Sequence, residues 1–178
     1  MIVHLSIDFP SAKVGWFRDS TEEFRYEICG ITYSLKEIKY VILRSNRKPP
    51  GQFTHVLSAQ DPRIVMLEDW DRPKILFVCQ DPPFTTCEVF HFSHRMEEQL
   101  TAYATNYCNA RIVLDRVKGE MILPTIFKTY ALDFGVTLPE RMVTIWQFYT
   151  DCYYSVNFIQ AEIDSGKLAI KYSDERPI

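Results

Sequence analysis

Ten prolines interrupt this chain, and their placement limits what can be built between them. Pro49-Pro50-Gly51, Pro62, Pro73, Pro82-Pro83, Pro124 and Pro139 each fix φ and remove a backbone donor, so each marks a loop or the first turn of a helix. The elements between them are short. No internal repeat, low-complexity tract or flexible linker separates one part from another, which predicts a single domain over residues 1–178. A chain of 178 residues with 47% hydrophobic content can bury one good core and is too short for two comfortable ones.

The strongest local signals lie in "YEICGITYSLKEIKYVILRSNRKPPG", residues 26 to 51. Tyr26 and Ile28, then Ile31 and Tyr33, flank Cys29-Gly30, a hairpin pattern whose turn needs the positive φ that Gly30 allows. Ser34 followed by Glu37 is a capping box, and Leu35, Ile38, Val41 and Ile42 repeat at helical spacing until Ser45-Asn46. Further on, "KILFVC" (74 to 79) is a short apolar run between prolines and predicts a buried strand. Ser93 is placed to cap a helix whose apolar face runs Met96, Leu100, Tyr103, Ala104, Tyr107 and Cys108, with Arg95, Glu97, Glu98 and Thr101 outside.

"RIVLDRVKGEMIL" predicts two short strands joined through Lys118-Gly119. Pro124 and Gly135 bracket one helix, Pro139 and Gly166 bracket another, and "KLAIKYS" is a last strand. Helices outweigh strands without strict alternation, so the predicted class is α+β: predominantly helical, with a small β-sheet and hairpins.

Charge excludes some functions. The formal net charge of −3 comes from intermixed signs, and the only basic cluster, Arg44 to Lys48, holds three charges. A nucleic-acid or anionic-membrane binder needs a larger footprint. No stretch approaches the roughly 18 consecutive apolar residues of a membrane span, and the first ten residues make no convincing signal peptide. Five scattered cysteines, an odd number, predict reduced thiols in a cytoplasmic setting.

Two segments, "YEICGITYSLKEIKYVILRSNRKPPG" and "HRMEEQLTAYATNYCNARIVLDRVKGEMILPTIFKTYALDFG", resemble the family known as domain of unknown function 547. The family pattern is Tyr-x-hydrophobic-Gly-Gly before a Ser-Leu-x-x-Ile-Glu helix ending Ile-Leu-Arg. Tyr26, Gly30, Ser34, Leu35, Ile38 and Ile42-Leu43-Arg44 match it, while Cys29 stands for the first glycine and Lys39 for the glutamate. Leu123-Pro124 and Tyr130-x-x-Asp133-Phe134-Gly135 match its ending, so the likeness covers about residues 24 to 135.

The departures imply a degenerate site. Where the family has a strand histidine before Asn-Cys-Gly, this chain has Lys74, and Val78 and Gln80 flank Cys79. Cys87 follows at a longer interval, with Glu88 in place of a proline. The family's Trp-Ile-Asn helix has no counterpart, so the resemblance implies a chain that starts inside the domain. Its absence would leave an apolar groove near residues 2 to 9 and 26 to 44, which predicts self-association, dependence on a partner or marginal stability of the isolated chain.

The chemistry-bearing residues cluster in "FVCQDPPFTTCEVFHFSHR", residues 77 to 95. A zinc site would take Cys79, Cys87, His91 and His94, but Cys-x7-Cys-x3-His-x2-His lacks the close knuckle of structural zinc sites, so no metal is expected. A thiol-dependent hydrolase or transferase would use Cys87 or Cys79 with His91 or His94, and Asp81 as orienter. The competing reading makes Cys79 a small core residue and sends His91 to the face opposite Phe90 and Phe92. His4 and His55 are isolated, and Asp8, Asp61, Asp69, Asp71 and Asp81 read as turn caps. No phosphate loop, nucleophile elbow or zinc-protease motif is present, so no cofactor is expected.

Near the C-terminus, Trp146, Phe148, Tyr149, Tyr153 and Tyr154 cannot share one face of a helix, since consecutive positions diverge by about 100°. At least one should be exposed as an interaction surface. The favoured function is therefore a non-catalytic, intracellular protein-interaction or regulatory domain, with the thiol enzyme as the alternative. The expected partner is a protein or a second copy, without nucleic acid or membrane insertion.

Overall fold

A computed structural model of the chain describes residues 25–67, 73–78, 95–150 and 154–173. These residues form an α+β structure in which helices outnumber strands, arranged as two compact units whose boundary falls between Asp71 and Arg72. No helix among them is long and apolar enough to cross a membrane.

In the first unit, β1 (Arg25–Ile28) pairs antiparallel with β2 (Ile31–Ser34), Tyr26 opposite Tyr33 and Ile28 opposite Ile31. Both turn residues have positive φ, 53° at Cys29 and 76° at Gly30, a backbone twist that matches the right-handed twist of the strands. Ser34 ends β2 and caps α1 (Leu35–Glu37): Glu37 N donates to Ser34 Oγ at 3.2 Å and Ser34 N donates to Glu37 Oε2 at 2.8 Å. The helix then widens into a π-turn over Ile38–Ile42, with Leu43 N donating to the Ile38 carbonyl and Asn46 N to that of Val41. That keeps Ile38 and Val41 buried, with Tyr33 and Leu57 as their buried apolar companions in this unit. A 3-10 helix, Pro62–Met66, is capped by the Asp61 side chain.

The second unit has the larger core. The predicted strand at 74 to 79 is instead a helix, α2 (Lys74–Val78), which buries Leu76 and Phe77. A short apolar run carries no period that separates a strand from a buried helical turn, and here the tertiary environment decides. Phe77 is fully enclosed, its ring 5.2 to 5.8 Å from those of Tyr107, Phe127, Phe134 and Phe148. Helix α3 (Met96–Arg111) presents Leu100, Ala104 and Cys108 to this core at helical spacing. The residue at its N-cap is Arg95, while Ser93 lies outside the described residues.

Strands β3 (Val113–Asp115) and β4 (Glu120–Leu123) form the second hairpin, through Gly119 at φ 63°. A Cβ at Gly119 would sit 2.7 Å from the Lys167 carbonyl oxygen, so both the turn and the close approach need glycine. The predicted Pro124–Gly135 helix is two, α4 (Ile126–Thr129) and α5 (Ala131–Phe134), broken where Tyr130 leaves helical geometry at φ −109°, ψ 34°. The Pro139–Gly166 helix is likewise two, α6 (Leu138–Trp146) and α7 (Val156–Asp164), capped by Thr137 and Ser155. Strand β5 (Ala169–Tyr172) returns parallel to β4, completing a sheet of order β3-β4-β5.

Candidate functional site

Cys79, Cys87, His91 and His94, with Asp81, lie outside the described residues, as do His4 and Tyr153. Two other cysteines are described, and both are free thiols. Cys108 is sealed in the core, where burial pushes its thiol well above the usual range, so it is inert as a nucleophile at neutral pH. Cys29 is exposed at the tip of the first hairpin. Among the described residues, no group of three or more His, Cys, Asp or Glu side chains could hold a metal ion.

The polar residues have structural employment. Asp61 accepts from Arg63 N at 3.0 Å and takes Arg63 Nε and Nη2 at 3.0 and 2.9 Å. Arg63 hydrogen bonding pulls the Asp61 carboxyl down to about 2, and the same contacts raise the guanidinium. Its Nη1 reaches Glu37 Oε1 at 3.0 Å, tying the capping box to the 3-10 helix. Partial burial of Glu37 raises its carboxyl, but the bonds from Ser34 and Arg63 outweigh this and hold it below its ordinary value. His55 donates through Nδ1 to the Asn46 carbonyl at 2.6 Å.

The C-terminal aromatic group divides sharply. Phe148 and Tyr149 are both buried in the core, which corrects their assignment to a contact surface. The helical-wheel argument fails there because α6 ends at Trp146. Beyond that point the Ile145 carbonyl accepts from both Phe148 N and Tyr149 N, at 3.0 and 3.1 Å, in a tightened last turn. Trp146 is half-buried, edge-on to Tyr149, and its Nε1 donates to the Tyr154 carbonyl at 3.0 Å.

Tyr154 faces solvent and stacks on Phe158, with ring centroids 5.1 Å apart and planes 17° from parallel. Above the pair lies a residue that periodicity did not single out. The Arg116 guanidinium, from the turn after β3, is 4.6 Å from the Tyr154 ring centroid and 5.3 Å from that of Phe158. Its Nη2 also bonds Glu162 Oε1 at 3.0 Å, which fixes the cation over the rings. Phe158 follows Tyr154 by four residues, a spacing that can bring rings together, although Tyr154 precedes the helix. Nothing local marks Arg116, which arrives from across the sheet.

The result is an ordered, partly exposed apolar slab with one cation. It offers contact area rather than acid–base or nucleophilic chemistry. No family model, curated protein or solved structure matches the chain.

Proposed function

We propose that this chain is a non-catalytic protein-interaction or regulatory domain that meets a protein partner, or a second copy of itself, through the Arg116–Tyr154–Phe158 face. The observation that carries this reading is the exposed ring stack, held by the Trp146 bond to the Tyr154 carbonyl and by the Arg116–Glu162 pair. Aromatic and arginine side chains held in place before binding lose little entropy at an interface, and they dominate interface energetics. A cytoplasmic, reducing location belongs to the same reading and rests on the odd number and scattered spacing of the five cysteines.

On the same reading, residues 24 to 135 are a degenerate relative of the domain of unknown function 547 family. The first hairpin supports this, because its two positive-φ positions, Cys29 and Gly30, coincide with the family's Gly-Gly. Lys74, which stands at the position of the family's histidine, is engaged with Glu97 at 2.8 Å.

In the full-length chain, replacing Tyr154 and Phe158 together by alanine should abolish co-purification of a protein partner, or concentration-dependent dimerisation, while leaving thermal unfolding nearly unchanged. Equal association by both forms would sink the surface. Thiol chemistry is tested by alkylation and mass spectrometry. Cys87 labelling should fall about tenfold per pH unit below a thiol pKa of about 8.5, with His91→Ala and His94→Ala leaving it unchanged. Rapid labelling at about pH 5.5 that either histidine substitution abolishes would overturn the non-catalytic reading.

A further inference from the structure

The chemistry of the Arg116–Tyr154–Phe158 face narrows what can cover it, because its groups are held and their spare bonding capacity can be counted. Glu162 takes only Nη2 of the guanidinium, at 3.0 Å. Among the described residues, Arg116 Nε and Nη1 and the Tyr154 hydroxyl have no hydrogen-bond partner. The arginine side chain is 38% accessible, so a ligand can reach those donors. Beside it Tyr154 is 40% and Phe158 42% exposed, and Val117, next along the turn, is fully exposed. The face therefore offers ring surface edged by hydrogen-bond donors.

Charge around these groups is balanced. Glu162 neutralises Arg116, and Asp115 pairs with Lys118 at 3.4 Å in the same turn. An acidic partner would gain little from a cation that is already paired, and it would meet the Glu162 carboxylate. A helix offers few free carbonyls, because its own N–H groups take them, and an added strand needs a sheet edge rather than a ring stack. A proline-rich segment fits on each count. In the polyproline II conformation its carbonyls are unsatisfied, its prolines carry no N–H, and its apolar rings need no charge. Its shape is also set before binding, so little entropy is lost when it docks on side chains that are themselves held.

We infer that the partner group recognised by this face is an uncharged, proline-rich segment in the polyproline II conformation, an inference that rests on the reading of the face as an interaction surface. Proline rings lie against Tyr154 and Phe158, and peptide carbonyls accept from Arg116 Nε or Nη1 and from the Tyr154 hydroxyl. Glu162 is a positioning residue, since its bond to Nη2 keeps the guanidinium over the rings with the other donors free.

The test titrates the 15N-labelled full-length chain with a proline decamer, using a serine-glycine decamer as control and unchanged thermal unfolding of each variant as the folding check. Shifts should centre on the Arg116 Nε–H, Val117 and residues 154 to 158, and affinity should change less than about twofold between about 50 and 500 mM salt. Tyr154→Ala and Phe158→Ala should each weaken binding about tenfold or more. Tyr154→Phe, which keeps the ring and removes one donor, should weaken it by roughly two- to tenfold. Selection of random dodecamers on the same protein should enrich prolines three residues apart, in peptides that Tyr154→Ala no longer retains. Acidic peptides bound through Tyr154 with affinity falling as salt rises, or a Tyr154-dependent dimer in sedimentation velocity, would overturn the inference and leave the interaction face standing. Decamer binding that Tyr154→Ala does not alter, or no binding at all, would also overturn it. If the variant lacking both rings then also associates as wild type does, the interaction face falls with it.

Discussion

Cys29 occupies a backbone conformation that a side chain makes costly. With φ at 53° in the turn of the first hairpin, it carries a left-handed penalty of roughly 1–2 kcal/mol that glycine would escape. Glycine has an offsetting entropic cost in the unfolded chain of roughly 0.5–1 kcal/mol. Cys29→Gly should therefore stabilise the protein by about 0.5–1 kcal/mol, read as an upward shift of the urea midpoint at constant slope. The Asp61–Arg63 pair makes a separate prediction about acid. Because hydrogen bonding to Arg63 depresses the Asp61 carboxyl from 3.8 to about 2, its contribution is fully present above about pH 4 and is lost as pH falls through 2. An NMR titration of the Asp61 carboxyl should show this low value, and Arg63→Ala should return it towards the ordinary range. A titration unchanged by that substitution would show that the pair does not form in solution.

At the level of elements, legibility followed the range of the interaction that decides each one. The first hairpin, the Ser34 capping box and the Lys118-Gly119 turn are specified within a few residues, and they could be read directly. The breaks at Tyr130 and after Trp146 carry no glycine or proline, so periodicity ran through them. Ser155, whose hydroxyl accepts from Phe158 N at 3.3 Å, was the local signal for the second helix start. The apolar run from 74 to 79 predicts a strand, yet Lys74–Val78 is the helix that carries the most enclosed ring of the larger core. Phe77→Ala should cost about 3–5 kcal/mol in a denaturant titration, because four aromatic neighbours cannot all collapse into the space left behind. A loss below about 1 kcal/mol would mean that the ring is not packed there. The candidate surface was only half legible: its rings lie in one aromatic stretch, whereas Arg116 comes from a distant turn that no local pattern links to them.

At the scale of the molecule, the buried apolar side chains of the described residues are unevenly divided. Among the described residues, the unit beyond Asp71 holds the large aromatic cluster, whereas the earlier unit buries Tyr33, Ile38, Val41 and Leu57 beside hydrogen-bonded clasps. The three-stranded sheet of the larger unit also sets an order of events. Glu120 pairs with Asp115 in a hairpin that closes over a few residues, but with Ala169 across a chain separation of nearly fifty. Four helices lie between β4 and β5, and the entropy of closing that span must be overcome before the parallel ladder returns anything. The third strand is thus the natural last step of assembly. On a ribosome, the β3–β4 hairpin must wait with one edge uncovered until the segment that seals it has been synthesised.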